Sequence, residues 1–146
     1  FDEAIAELAA QHPGHAELIG HWRRQDEMVA GEVPGTAALV HALAARGVRL
    51  HMLTNMPAPV FQERVRRYPV LQAFDGAVVS GEEGVNKPAA AIFAVLVDRF
   101  GLEPASTLFI DDSSRNVAAA ADLGFRTHHF VDAPSLAQYL ADLGLC

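Results

Sequence analysis

Two apolar runs in this sequence end in small polar or acidic residues: Leu53-Thr54-Asn55 and Ile110-Asp111-Asp112. Each run reads as a buried β-strand, and in open parallel sheets reactive groups collect beyond the carboxyl ends of the strands. The acidic pair is the sharper signal. Two adjacent carboxylates after Leu108-Phe109-Ile110 repel each other and lose solvation unless a cation joins them. Mg²⁺ takes a few carboxylate oxygens and keeps several waters, which suits one direct ligand and one acting through water. The plainer alternative is that Asp112 caps the following helix. Thr54-Asn55 reads as the opening of the next helix, where a hydroxyl and backbone N–H groups can hold a phosphate; an ordinary polar cap is the alternative. Lys87, within Gly84-Val85-Asn86-Lys87-Pro88, can extend a compact positive charge over the sheet edge towards an oxyanion, or be a solvated surface lysine. The histidines read as structural or surface residues. His128 and His129 are neighbours on a strand and point to opposite faces, and no cysteine accompanies His12, His15 and His21 to complete a zinc set. Trp22 reads as a packing residue.

Alternating elements must position these groups. Ile5, Leu8 and Ala9 recur at helical spacing until Pro13-Gly14, and a second helix is expected from about His15 to Ala30 on Leu18, Ile19, Trp22 and Met28. Val33-Pro34-Gly35 ends this helical hairpin and divides the chain into residues 1–33 and 34–146. Beyond it, helices over 36–46, 57–67, 88–100, 113–123 and 134–143 alternate with strands near 48–53, 77–80, 106–110 and 125–130. Gly47 and Gly101 end two of the helices, and Pro88 opens one. Such alternation predicts an α/β domain, a Rossmann-like parallel sheet with helices on both faces.

Composition restricts the partners. The 146 residues are 51% hydrophobic and 20% charged, a globular balance, with 18 acidic against 11 basic residues and a formal charge of −7. That acidity disfavours nucleic acid, although a local cluster of donors still admits a small anion. No apolar run reaches the ~20 residues that span a bilayer, so no membrane partner is expected. The single cysteine, Cys146, fits a reducing cytoplasm. The start, Phe1-Asp2-Glu3-Ala4, has neither an initiator Met nor the pattern of a signal peptide, and a segment upstream is expected. Nothing in the sequence indicates the oligomeric state.

Together, Thr54-Asn55, Lys87-Pro88 about thirty residues on, and Asp111-Asp112 resemble motifs two, three and four of the haloacid dehalogenase superfamily. The resemblance runs from about Pro34 to Leu143 and takes in Pro34-Gly35, Phe74-Asp75, Val79-Ser80-Gly81 and Asn116. It is nearest to the helical-cap branch that contains sugar-phosphate phosphatases and the phosphatase domain of soluble epoxide hydrolases, with residues 1–33 resembling half of the cap. The resemblance implies a magnesium-dependent phosphatase acting on a small phosphorylated metabolite through an aspartyl-phosphate. It implies that Asp112 binds Mg²⁺ directly and Asp111 through water, that Thr54 and Asn55 hold phosphate oxygens, and that Lys87 neutralises nucleophile and transferring group. Two departures stand out. The family's Lys-Pro-Asp-Pro is here Lys87-Pro88-Ala89-Ala90, and the Asp-x-Asp loop of motif one, source of the nucleophile, is absent. That loop follows a strand placed between those ending at Thr54 and Asp111, so the sheet is expected to lack its first, central strand and the chain alone to be inactive. A non-catalytic module that binds a phosphorylated ligand or protein is the alternative function; 2-haloacid dehalogenation is a further one, disfavoured by the acidic pair.

Overall fold

The structure is a computed structural model that describes the backbone of residues 1–146 and the side chains of all but Gln25, Asp26 and Met28. It divides into two compact units, Phe1–Glu32 and Val33–Cys146. The first contains α1 (Asp2–Gln11), a 3₁₀ turn at Pro13–His15, α2 (Ala16–Gly20) and a 3₁₀ segment at His21–Met28. The single helix expected from His15 to Ala30 is therefore broken. Its second half is 3₁₀, with Arg24 outside helical geometry at φ −105° and ψ 19°. Arg24 pairs instead with Glu27 at 2.6 Å, and Arg23 with Asp2 at 2.9 Å. Trp22, expected to pack, is 56% exposed and Leu18 is 72% exposed. Met28, the remaining apolar position of that expected helix, lies outside the described side chains.

The second unit alternates as expected: α3 (Thr36–Ala45), β1 (His51–Thr54), α4 (Ala58–Arg67), β2 (Gly76–Val79), α5 (Ser80–Glu83), α6 (Ala90–Phe100), β3 (Leu108–Asp111), α7 (Ser114–Asp122), β4 (Arg126–His129) and α8 (Ala133–Asp142). Gly101 takes φ +59° and so ends α6 at little steric cost. Pro88 does not open α6, whose first residue is Ala90, with Ala89 at the cap. Among the described residues no helix is long and apolar enough to cross a membrane.

The sheet is interrupted. β1 pairs in parallel with β2, and β3 in parallel with β4, as two separate two-stranded ladders. One edge of β1 and one edge of β3 thus lack a strand partner. Between them lies a cavity of about 530 Å³ whose lining includes Leu50, His51 and Leu53 on one side and the consecutive residues 107–112 on the other. Neighbouring strand residues face opposite sides of a sheet, so an unbroken run of lining residues means that the cavity opens on the strand edges and not on one face.

Both faces are covered by helices. Phe109 of β3 joins Val78, Ile92, Phe93, Leu96, Ala120 and Phe125 in a core under α6 and α7. Leu108 and Ile110, one position either side of Phe109, pack against Leu43, Leu136 and Leu140 of α3 and α8. Phe93, Phe109 and Phe125 meet edge-on or tilted, with centroids 5.3–6.3 Å apart, a favoured aromatic geometry. β1 follows the same alternation, with Leu53 in the first core and Leu50 in the second.

Candidate active site

Reciprocal side-chain contacts hold β1 at both ends. At its start the Leu50 N–H donates to Asp75 Oδ2 at 2.7 Å, and the Asp75 N–H donates to the Leu50 carbonyl at 2.7 Å. At its far end the Lys87 N–H donates to Asn55 Oδ1 at 2.7 Å, and Asn55 Nδ2 donates to the Lys87 carbonyl at 2.9 Å. The next residue, Met56, accepts at its carbonyl from the Gly81 N–H at 3.1 Å. This approach is so close that a Cβ on Gly81 would lie 2.7–2.9 Å from backbone atoms of residues 56–58. The loops after β1 and β2 are thereby locked together, and the segment carrying Lys87 is drawn to the end of β1.

From there Lys87 reaches β3. Its Nζ lies 2.7 Å from Asp111 Oδ2, with the two side chains only 10% and 6% exposed, and 5.7 Å from the centre of the Phe109 ring. Asp111 Oδ1 also accepts from the Ser113 N–H at 2.9 Å and from Asn116 Nδ2 at 3.0 Å. Burial by itself would push the Asp111 carboxyl up, but the hydrogen bonds from Lys87, Asn116 and Ser113, together with the Lys87 charge, outweigh it and hold the group below its ordinary value. Asp111 is therefore an anion that accepts three hydrogen bonds, two at Oδ1 and one at Oδ2. Asp112 is exposed, and its contact within the chain is through its backbone carbonyl, 2.9 Å from His129 Nε2.

The carboxyl ends of β1 and β3 thus meet around one lysine. Asn55, Lys87 and Asp111 are joined there by hydrogen bonds, with Asp112 next along the chain and Thr54 as the last residue of β1. Thr54-Asn55 does not open a helix, since α4 begins at Ala58 with Pro57 at its cap. Asn55, expected to meet phosphate, directs both ends of its carboxamide to the Lys87 backbone. Asn116, noted in the sequence only as part of the frame, is a direct partner of Asp111. His128 stacks on Tyr139 with centroids 4.5 Å apart, while His129 turns to the Asp112 carbonyl, so the neighbours diverge as a strand requires.

The donor chemistry suits a hard cation. Among the described residues no hydrogen bond engages the carboxylate oxygens of Asp112, whereas the Asp111 carboxylate already accepts three, which leaves Asp112 the freer of the two to meet an ion. Mg²⁺ accepts so sparse a protein contribution, because it retains waters and takes substrate phosphate oxygens. Among the described residues no group of three or more His, Cys, Asp and Glu side chains gathers to hold a metal unaided.

A family model for haloacid dehalogenase-like hydrolases matches residues 2–124. The chain is 31% identical to a sesquiterpene phosphatase of Aspergillus oryzae over 99% of its own length and 74% of the relative's. It is 30% identical to a phosphoglycolate phosphatase of Rhodospirillum rubrum, over 75% of its own length and 45% of the relative's. Among solved structures it resembles a haloacid dehalogenase family enzyme of Bacteroides thetaiotaomicron, a variant in complex with magnesium and inorganic phosphate. That likeness has a TM-score of 0.58 at 26% identity and covers 66% of this chain and 53% of the other.

Proposed function

Because this chain belongs to the haloacid dehalogenase-like hydrolases, we propose that it serves a magnesium-dependent phosphatase acting on a small phosphorylated metabolite. The observation that carries this reading is the ion pair of Lys87 with Asp111, 2.7 Å long, where the carboxyl ends of β1 and β3 meet. Lys87 presents fixed positive charge to a transferring phosphoryl group, and the Thr54 hydroxyl donates to one of its oxygens. Preorganised charge of this kind stabilises the transition state without reorganising during the reaction. Asp111 holds the ammonium in place. Asp112 would hold Mg²⁺ directly and Asp111 through water; when bound, the ion offsets the charge of the phosphate oxygens.

No residue of this site is assigned as nucleophile. The resemblance gives that role, and the aspartyl-phosphate it forms, to an Asp-x-Asp loop that the 146 residues do not contain. Residues 1–33 are assigned to part of a helical cap, the element that would select the substrate. The phosphatases named above support a phosphate monoester as substrate, and the bound magnesium and phosphate of the Bacteroides relative support the ion. The test is phosphate release from a panel of monoesters by the full-length protein, with Mg²⁺ and with chelator. Magnesium-dependent turnover is expected. A folded protein that binds phosphate without turning over any ester would support the non-catalytic alternative.

A further inference from the structure

We infer that Asn55 is a positioning residue for Lys87 and not a ligand of the substrate phosphate, an inference that rests on the role proposed for Lys87. Lys87 is the sole lysine among the 146 residues, the other ten basic residues being arginines. A lysine side chain is long and loses much rotamer freedom when fixed, so the backbone it springs from must be held firmly. The hydrogen bonds that hold it come from Asn55, 32 residues earlier, which pairs with both the N–H and the carbonyl of Lys87 at 2.7 and 2.9 Å. The pairing imitates one rung of a strand ladder, with a side-chain amide in place of a backbone one.

Only a carboxamide on a single-carbon stem sets an acceptor and a donor side by side at that reach. Aspartate would oppose the Lys87 carbonyl with a second acceptor, and glutamine is a methylene too long. The contact also joins parts of the molecule that the sheet leaves apart. β1 and β3 share no ladder, yet Asn55 grips the lysine's backbone at the end of β1 while Asp111 grips its Nζ at the end of β3. Loosening Asn55 therefore moves the charge as well as the loop.

Two experiments test this on the full-length protein. In the first, acylation by an amine-reactive reagent is followed by peptide mapping, which separates Lys87 from the chain's α-amine. Asn55→Ala should label at least roughly tenfold faster than wild type, the factor set by two ordinary hydrogen bonds, while circular dichroism is retained. Unchanged labelling would overturn the inference. Should Asn55→Ala not fold, amide exchange in the wild type decides: the Lys87 N–H should be protected, and free exchange overturns the pairing. In the second, kcat and KM are measured for Asn55→Ala, Lys87→Ala and the double variant. A positioning role lowers kcat and leaves the double variant no worse than Lys87→Ala. Losses that multiply, or a rise in KM alone, assign Asn55 to substrate instead. If Lys87→Ala retains full turnover, the proposed function of Lys87 fails, and labelling still judges Asn55.

Discussion

A buried ammonium beside a buried carboxylate is stable only while both are present and hydrogen-bonded. Lys87 and Asp111 meet that condition, and Asp112, next along the chain, does not share in it. The two aspartates should therefore respond differently to loss of charge. In the full-length protein Asp112→Asn should raise the Mg²⁺ concentration needed for half-maximal activity by about tenfold or more and leave the melting temperature nearly unchanged. Asp111→Asn should act mainly by releasing Lys87, lowering kcat and thermal stability together. Magnesium titrations of activity and thermal melts of both variants check this. The acidic pair stood out in the sequence as two carboxylates at a strand end, whereas Lys87 stood out only in combination with it and Thr54-Asn55, through the resemblance. The engagement of Asn55 was not legible, because its partner is the backbone of a residue 32 positions away. His51 supplies a further test. It stacks on Phe100 at 4.2 Å with both ring nitrogens buried and without a hydrogen-bond partner. Burial pushes its pKa down, against the pull of Asp75 and with a smaller push from Arg49. The unfolded chain then binds the proton more readily, so stability is full above the ordinary value near 6.5 and falls as pH drops below it. His51→Phe should keep the stack and remove that part of the pH dependence, as measured by denaturant unfolding above and below pH 6.5.

At the level of elements, the strands fell where apolar runs predicted, within two or three residues, because each is flanked by glycine or a polar break. The first unit departed from expectation. Leu18, Ile19 and Trp22 suggested one helix, but Arg23-Arg24-Gln25-Asp26-Glu27 offers no apolar face to bury, and the backbone follows local ion pairs into 3₁₀ geometry. Pro88 also misled, since the turn that Ala89 closes onto the Asn86 carbonyl at 3.0 Å delays the helix to Ala90. The junction that places the site is testable at Gly81. A methyl group there meets backbone atoms of residues 56–58 at 2.7–2.9 Å, and backbone cannot move aside as a side-chain tip can. Gly81→Ala should cost about 1–3 kcal/mol in denaturant unfolding and disturb the Asn55–Lys87 pairing with it. At α8, Asp132 accepts from the Ser135 N–H at 2.8 Å, and Asp132→Ala should lower the melting temperature measurably with no effect on catalysis.

Across the whole molecule the interrupted sheet dominates. Helices on both faces were legible from alternation alone, and the gap between β1 and β3 was legible only through the resemblance, since no local pattern records a strand that is not there. Two free parallel edges flanking an apolar cavity are a template for further pairing. The 146-residue chain by itself should therefore self-associate, and light scattering that shows a stable monomer would contradict this. The central claim is that Lys87, held between Asn55 and Asp111, directs phosphate chemistry at the joined ends of β1 and β3. The most direct measurement is p-nitrophenyl phosphate hydrolysis by the full-length protein and by its Lys87→Ala variant, each with Mg²⁺ and with chelator. The account predicts turnover that requires Mg²⁺ and falls on the order of 10²-fold or more in a folded Lys87→Ala variant. Equal turnover by wild type and variant, or turnover indifferent to chelator, would contradict it.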